Sequence, residues 1–159
     1  MRLLLAALVS AILCFSSPLP ASELADDIKQ DYDAYLADLF DHLHRNPELS
    51  LAEFRTAERM AKELREAGYD VTEQVGGTGL VAMMENGSGP LVMMRADMDG
   101  LPIEEKSGLP NASTIQQRDP VTGIVGPVMH ACGHDVHMTS LVGSARYMAP
   151  IHTRPRIRS

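Results

Sequence analysis

The sequence is poor in the residues on which several classes of protein depend. It contains no tryptophan and 4% aromatic residues, and its 14 Lys and Arg are outnumbered by 21 Asp and Glu. Because nucleic acids and anionic membranes are bound by clustered Lys and Arg, this balance argues against both partners. No apolar run reaches the ~20 residues that a membrane-spanning helix needs. The remaining composition, 45% hydrophobic in a chain of 159 residues, is typical of one globular domain.

The first 21 residues have the parts of a cleaved secretory signal. Arg2 provides a short positive start, an apolar run follows from Leu3 to Phe15, and a segment rich in Ser and Pro ends on the small residue Ala21. We therefore expect cleavage after Ala21, a secreted or periplasmic location and no stable membrane anchor. An uncleaved membrane anchor is the less favoured alternative, since the apolar run is short.

Cysteine is scarce, and this affects how the one remaining thiol is interpreted. Cleavage removes Cys14 and leaves Cys132, so no disulfide can form within the mature chain. An unpaired thiol is a liability in an oxidising compartment unless it is buried, pairs with another chain or binds a metal. This consideration favours a metal-binding role for Cys132.

Cys132 lies in the stretch of the chain that is densest in metal-binding side chains. Residues 130–137 read His-Ala-Cys-Gly-His-Asp-Val-His. An extended backbone would place Cys132 and His134 on the same side, where a thiolate and an imidazole could bind a cation such as zinc. The alternative is a buried structural Cys among helix-capping histidines.

Hydrophobic periodicity predicts two helices in the first part of the chain. Apolar residues at steps of three and four from Ser22 to Asn46 predict an amphipathic helix that ends before Pro47. Ser50 and Glu53 have the spacing of a capping box, so a second helix should begin there. That helix should end at Gly68, and its predicted buried face consists of Phe54, Ala57, Ala61 and Leu64.

Short β-type runs follow, at Val71–Val75, Leu80–Met84 and Leu91–Arg95, separated by Gly-rich turns. We expect the last two runs to form a hairpin and the polar stretch Asn111–Pro127 to be an exposed loop. From Met138 to Met148 apolar residues return to helical spacing, so Cys132 and His134 should lie just before a helix or in its first turn.

Two carboxylates, Asp97 and Asp99, follow the third β-type run. Strand ends are where open α/β sheets usually carry their functional residues, so both are candidate site residues. The alternative for each is turn formation, because Asp readily bonds its own loop backbone.

Three segments resemble, in order, a family of metal-dependent amidohydrolases and peptidases that includes hippurate hydrolase and the indoleacetyl-amino-acid hydrolases. The segments are His44–Leu49, Arg95–Glu105 and Met129–Met138. The resemblance implies an α/β fold, namely a partial zinc-peptidase-like catalytic domain with helices around a mixed sheet. The carboxyl-terminal part and a smaller inserted domain would be lacking. It also implies an enzyme that uses two divalent metal ions, manganese or zinc, to hydrolyse the amide bond of a small N-acyl amino acid.

The resemblance also implies roles for individual residues. Cys132 and His134 would be metal ligands, and Asp97 would be a catalytic acidic residue that orients a ligand. Arg95 stands where many relatives have a ligating His. Because the general-base glutamate and the remaining ligands would lie beyond Met148, the 159-residue chain is expected to be inactive by itself. A homo-oligomer is compatible with the full-length protein.

The expected boundaries are 1–21 for the signal peptide, 22–149 for the amino-terminal part of the catalytic domain and 150–159 for an atypical tail. The tail carries three Arg and no apolar period, which suggests a frameshift or truncation near Ala149. Two alternative functions stay open. One is a peptidase or dipeptidase of the same broader family, and the other is a small secreted metal-binding protein in which Cys132 and His134 hold a structural ion.

Overall fold

The computed structural model describes residues 21–149, so the predicted tail and all but the last residue of the predicted signal lie outside it. Four α-helices and two antiparallel two-stranded sheets make up this part of the chain. The helices are α1 (Ala21–Asp31), α2 (Ala37–Arg45), α3 (Phe54–Glu66) and α4 (His134–Met148), and a π-helical segment, Tyr32–Leu36, joins α1 to α2. The strands are β1 (Asp70–Val75), β2 (Gly79–Met83), β3 (Gln116–Arg118) and β4 (Val125–Pro127).

The first predicted helix is confirmed as a nearly continuous helical segment that ends at Arg45, two residues before Pro47. Its apolar stripe is buried only in its second half: Leu39 and Leu43 are in the core, whereas Ile28 is half exposed. Periodicity identifies which side of a helix is apolar. It does not show how far along that helix the packing partners extend.

The predicted capping box at the start of the second helix is wrong. Helix α3 begins at Phe54, and its free amide at Thr56 is satisfied by Glu48, whose Oε2 accepts from Thr56 N at 2.7 Å and from Thr56 Oγ1 at 2.9 Å. Glu53 instead accepts a hydrogen bond from Thr78 Oγ1 at 2.7 Å. A carboxylate that lies before the helix in sequence therefore stabilises its amino terminus, as its charge favours.

The predicted buried face of α3 is partly wrong, because Phe54 is 68% exposed. The buried positions are Thr56, Met60, Ala61, Glu63 and Leu64, which also lie on one face of a helix. The buried Glu63 accepts hydrogen bonds from Tyr35 Oη at 2.7 Å and from Arg59 Nε at 2.6 Å. The predicted end of the helix is confirmed at Gly68, which has a φ of +92°.

Strand pairing differs from the prediction. Strand β1 pairs with β2 through the Gly-rich turn, whereas Leu91–Arg95 forms no strand in the described part of the chain. The side chains of Leu91, Val92 and Met93 are 82%, 78% and 84% exposed. A β-type run becomes a strand only when a neighbouring segment accepts and donates its backbone hydrogen bonds. The predicted loop Asn111–Pro127 also differs, because it contains the ribbon of β3 and β4.

Helix α4 packs on α2 and α3 to form the core. Its predicted apolar face is confirmed at Met138 and Val142, which are fully buried together with Leu39 of α2 and Met60 of α3. Burying side chains of this size stabilises the fold by roughly 1.5–3 kcal/mol each. This packing fixes the direction of α4 and therefore the position of its first residue, His134.

The three motif segments lie side by side. Gly100 N donates to Glu48 O at 2.7 Å, and Leu101 and Met129 exchange two backbone hydrogen bonds of 2.8 and 3.1 Å. The Leu49–Gly100 bridge is parallel and the Leu101–Met129 bridge is antiparallel, so the strand pairing is mixed in direction. The structure thus brings residues 44–49, 95–105 and 129–138 together, and the predicted α/β class is confirmed.

Candidate metal centre

The residues around Cys132 form a turn that leads into α4. Gly133 adopts a left-handed conformation with a φ of 74°, and His134 is the first residue of the helix. The backbone at Cys132 and His134 is therefore a turn into a helix rather than extended, and the expectation that they lie at a helix start is confirmed. The left-handed conformation favours glycine at this position, because in any other residue the Cβ would crowd its own backbone. Cys132 is an exposed, free thiol.

The ring of His134 is held by Asp99. His134 Nδ1 lies 2.8 Å from the Asp99 carbonyl oxygen and 3.0 Å from Asp99 Oδ1. Both atoms are acceptors, so Nδ1 carries a proton, and the neutral ring then has its lone pair on Nε2. This is the arrangement in which a histidine binds a metal through Nε2, with its other nitrogen donating to a carboxylate or carbonyl. The geometry supports His134 as a ligand.

Asp97, the predicted catalytic residue, lies on the opposite side of the same ring. Its Oδ2 is 4.0 Å from His134 Nε2, and its Oδ1 forms an ion pair with Arg95. Asp97 therefore faces the nitrogen that is free to bind a metal, whereas Asp99 fixes the orientation of the ring. The resemblance implied that Asp97 orients a ligand, whereas in the structure it is Asp99, also a candidate from the sequence, that holds the His134 ring.

Cys132 and His134 supply two candidate ligands, and a complete set is not assembled in residues 21–149. No group of three or more His, Cys, Asp or Glu in that range is arranged to hold a metal ion. A thiolate and an imidazole nitrogen form a donor pair that suits zinc. The residues present thus fit part of a metal centre.

Two other histidines of the motif differ in environment. His130 is buried, and neither of its ring nitrogens has a hydrogen-bond partner among the described residues. Burial lowers the pKa of His130 below its usual value, although the charge of Asp135 opposes this shift. The ring of His137 is exposed and lies 5.7 Å from that of His134, centroid to centroid.

A residue that sequence reasoning missed is His44, in the last turn of α2. Its Nδ1 lies 2.7 Å from Asp135 Oδ2, and its Nε2 lies 3.3 Å from Glu105 Oε1. Burial disfavours protonation of His44, but the hydrogen bond to Asp135 and the charge of Glu105 outweigh it and raise the pKa of His44. The only signal in the sequence was that each of these residues lies in one of the three motif segments.

Comparison with known proteins identifies the family. Residues 93–156 match the model of peptidase family M20/M25/M40. Hippurate hydrolase of Campylobacter jejuni is 44% identical over 108 residues, an alignment that covers 67% of this chain and 26% of that protein. The chain belongs to peptidase family M20/M25/M40. The M20-family chain is also 32% identical over 148 residues to IAA-amino acid hydrolase ILR1-like 5 of Arabidopsis thaliana, with 93% of this chain and 32% of that protein covered.

The fold agrees with that of a solved M20 structure. The YXEP protein of Bacillus subtilis, described as a dinuclear metal-binding peptidase from the M20 family, superposes with a TM-score of 0.63 at 32% identity. The alignment covers 76% of this chain and 31% of that structure. The M20-family chain thus spans about a quarter to a third of the length of these relatives. The family predicted from the three motifs is confirmed.

Proposed function

We propose that this chain is part of a secreted or periplasmic amidohydrolase that cleaves the amide bond of N-acyl amino acids, such as hippurate, with the help of two divalent metal ions. The observation that carries the proposal is the orientation of His134, whose Nε2 faces Asp97 while Asp99 holds Nδ1, two residues along the chain from Cys132. In support, two relatives are named for hydrolysis of hippurate and of IAA-amino acids.

Each residue of the site has a defined role in this proposal. Cys132 Sγ and His134 Nε2 hold metal, and Asp99 keeps the imidazole in the tautomer that can bind it. Metal ions bound there would polarise the amide carbonyl and lower the pKa of a water molecule. Asp97 Oδ2, 4.0 Å from Nε2, is placed to accept a hydrogen bond from a group that binds next to that nitrogen.

The proposal also covers the metal and the isolated chain. A thiolate and an imidazole favour zinc over manganese, which prefers oxygen ligands. Because residues 21–149 provide only Cys132 and His134, we expect the 159-residue chain to release no amino acid by itself.

For the location, sequencing the amino terminus of exported protein should give Ser22 as the first residue, and export of protein that begins at Met1 would contradict the cleavage.

A chimera provides a test of the site. The region of the Campylobacter jejuni hippurate hydrolase that aligns with this chain is replaced by the corresponding residues of this chain, and metal-dependent release of glycine from hippurate is measured. We expect activity that is lost in Cys132→Ser and His134→Gln and reduced in Asp97→Asn. The matched control, His137→Gln, should keep it. A fully active Cys132→Ser chimera would refute the ligand assignment.

Two alternative functions have distinguishable outcomes. The relative described as a peptidase makes cleavage of peptides the second candidate, and the chimera would then hydrolyse dipeptides faster than N-acyl amino acids. If the chain is instead a metal-binding protein with a structural site, the 159-residue chain should hold one zinc ion per molecule after dialysis. A partial catalytic centre should retain far less, because two ligands bind zinc weakly. Elemental analysis of the dialysed protein measures the difference.

A further inference from the structure

The structure contains a buried cluster of charged groups next to the proposed metal site. His44 lies between two carboxylates, 2.7 Å from Asp135 Oδ2 and 3.3 Å from Glu105 Oε1. The side chains are 14%, 3% and 2% exposed for His44, Asp135 and Glu105. Each residue comes from a different motif segment, so the cluster connects all three.

The environment of the two carboxylates favours a cation between them. Two ionised carboxylates buried close together repel each other and lose their hydration, unless a positive charge compensates them. Among the residues that the structure describes, His44 is the cationic group within ion-pair distance of both. With one acceptor at each ring nitrogen, the imidazole can satisfy both carboxylates only when both nitrogens carry protons. The geometry therefore favours an imidazolium between two carboxylates.

The two carboxylates belong to the segments that carry the site residues. Asp135 directly follows His134 in the first turn of α4 and accepts a hydrogen bond from Val136 N at 2.9 Å. Glu105 lies on the segment that begins with Asp97 and Asp99, and it accepts from Ser113 N at 2.7 Å. Movement of either carboxylate would move the residues that hold His134.

We propose that His44 is a positioning residue that clamps the segment of Asp97 and Asp99 to the start of α4 through Glu105 and Asp135. The effect of the clamp on catalysis rests on the proposed function, since the clamp sets the position of Asp99 relative to the ring of His134. The clamp itself is a property of the folded chain and needs neither metal nor substrate. It can therefore be tested even if the proposed activity is wrong.

Hydrogen–deuterium exchange of the 159-residue chain tests the clamp. In His44→Gln we expect exchange of residues 99–113 and 130–137 to become about 10- to 100-fold faster, which corresponds to the loss of a charge-assisted hydrogen bond. Exchange in α3 and in the β1–β2 hairpin should stay unchanged. His42→Gln is the matched control, because His42 lies on the same helix but is exposed, and it should leave both regions as they are.

The exchange pattern separates a clamp from general stabilisation. Equal acceleration throughout the chain, or no acceleration near residues 99–113 and 130–137, would overturn the proposal. Glu105→Gln should speed exchange in the same two regions. In the double variant with His44→Gln, exchange should be little faster than in either single variant, because both changes break one cluster. Additive effects would also contradict the clamp.

A second measurement addresses the charge of His44 without any substitution. In the folded protein near neutral pH, ¹⁵N NMR should show both ring nitrogens of His44 in the protonated form. A ring with one protonated nitrogen would contradict the imidazolium. If the NMR and exchange results agree with the clamp while the chimera is inactive, the positioning role stands and the proposed function fails.

Discussion

Replacing Gly100 with alanine should strain the point where the three motif segments meet. A Cβ at this position would lie 2.9 Å from Val128 Cγ1, 3.0 Å from Pro47 Cβ and 3.1 Å from Met129 O. Carbon atoms in contact normally lie about 3.5–4.0 Å apart. The proline ring and the carbonyl oxygen belong to backbone that is itself hydrogen-bonded nearby, so neither can easily move away. Gly100 is thus the residue that allows this close approach.

The magnitude follows from two opposing effects. Overpacking of a well-filled core costs about 1–3 kcal/mol. The lower entropy of the unfolded chain with alanine returns about 0.4–1 kcal/mol. We therefore expect Gly100→Ala to lower the free energy of unfolding by about 1–2 kcal/mol, with a fall in Tm of about 4 °C for each kcal/mol in a chain of this size.

Urea unfolding followed by circular dichroism measures this loss. Gly126→Ala is the matched control, because a Cβ at Gly126 meets no atom within 4 Å. Its effect should be a stabilisation of at most about 1 kcal/mol, from the lower entropy of the unfolded chain alone. If Gly100→Ala unfolds at the same urea concentration as the unchanged protein, the segments do not meet as described, and the reasoning that places the site there is refuted.

Further variants test other features of the fold. Glu48→Gln should cost about 1–2 kcal/mol, because it weakens the charged cap of α3, whereas the exposed Glu58→Gln on the same helix should cost little in urea unfolding. Val92→Lys should reduce self-association in light scattering, since it interrupts an exposed β-type run, and Val121→Lys, at an equally exposed residue outside that run, should not. The stability difference between unchanged protein and His44→Gln should depend on pH in urea titrations. Folding raises the pKa of His44 above its unfolded value of about 6.5. The difference in the free energy of unfolding should therefore be largest at a pH below about 6.5 and should decline as pH rises through the pKa of His44 in the folded protein. A constant difference would contradict this.

Local patterns in the sequence were sufficient for several elements. The helical spacing of Met138 and Val142 correctly predicted α4, and Pro47 correctly predicted where α2 must end. These predictions succeed because helix periodicity and proline geometry depend on residues within one or two turns. The family could likewise be predicted from three short motifs, since their residue types and order are specific.

Other features depended on residues that are far apart in the chain. The hydrogen bond between His44 and Asp135 joins positions 91 residues apart, and that between Asp99 and His134 joins positions 35 residues apart. Sequence spacing could not show that Asp99 rather than Asp97 holds the His134 ring. The capping of α3 by Glu48 was missed for a similar reason, because Ser50 and Glu53 offered a closer match to the expected local spacing.

The sequence by itself determined which residue types are available for metal binding and that Cys132 and His134 lie at the start of a helix. The tertiary structure decided how they are used: Gly100 permits three segments to touch, and packing of α4 sets the position of His134. Only this arrangement orients Nε2 of His134 away from Asp99 and places His44 between two buried carboxylates. The physical reason is that side-chain periodicity is a local property, whereas the tautomer and charge of a histidine depend on whatever groups the fold brings next to it.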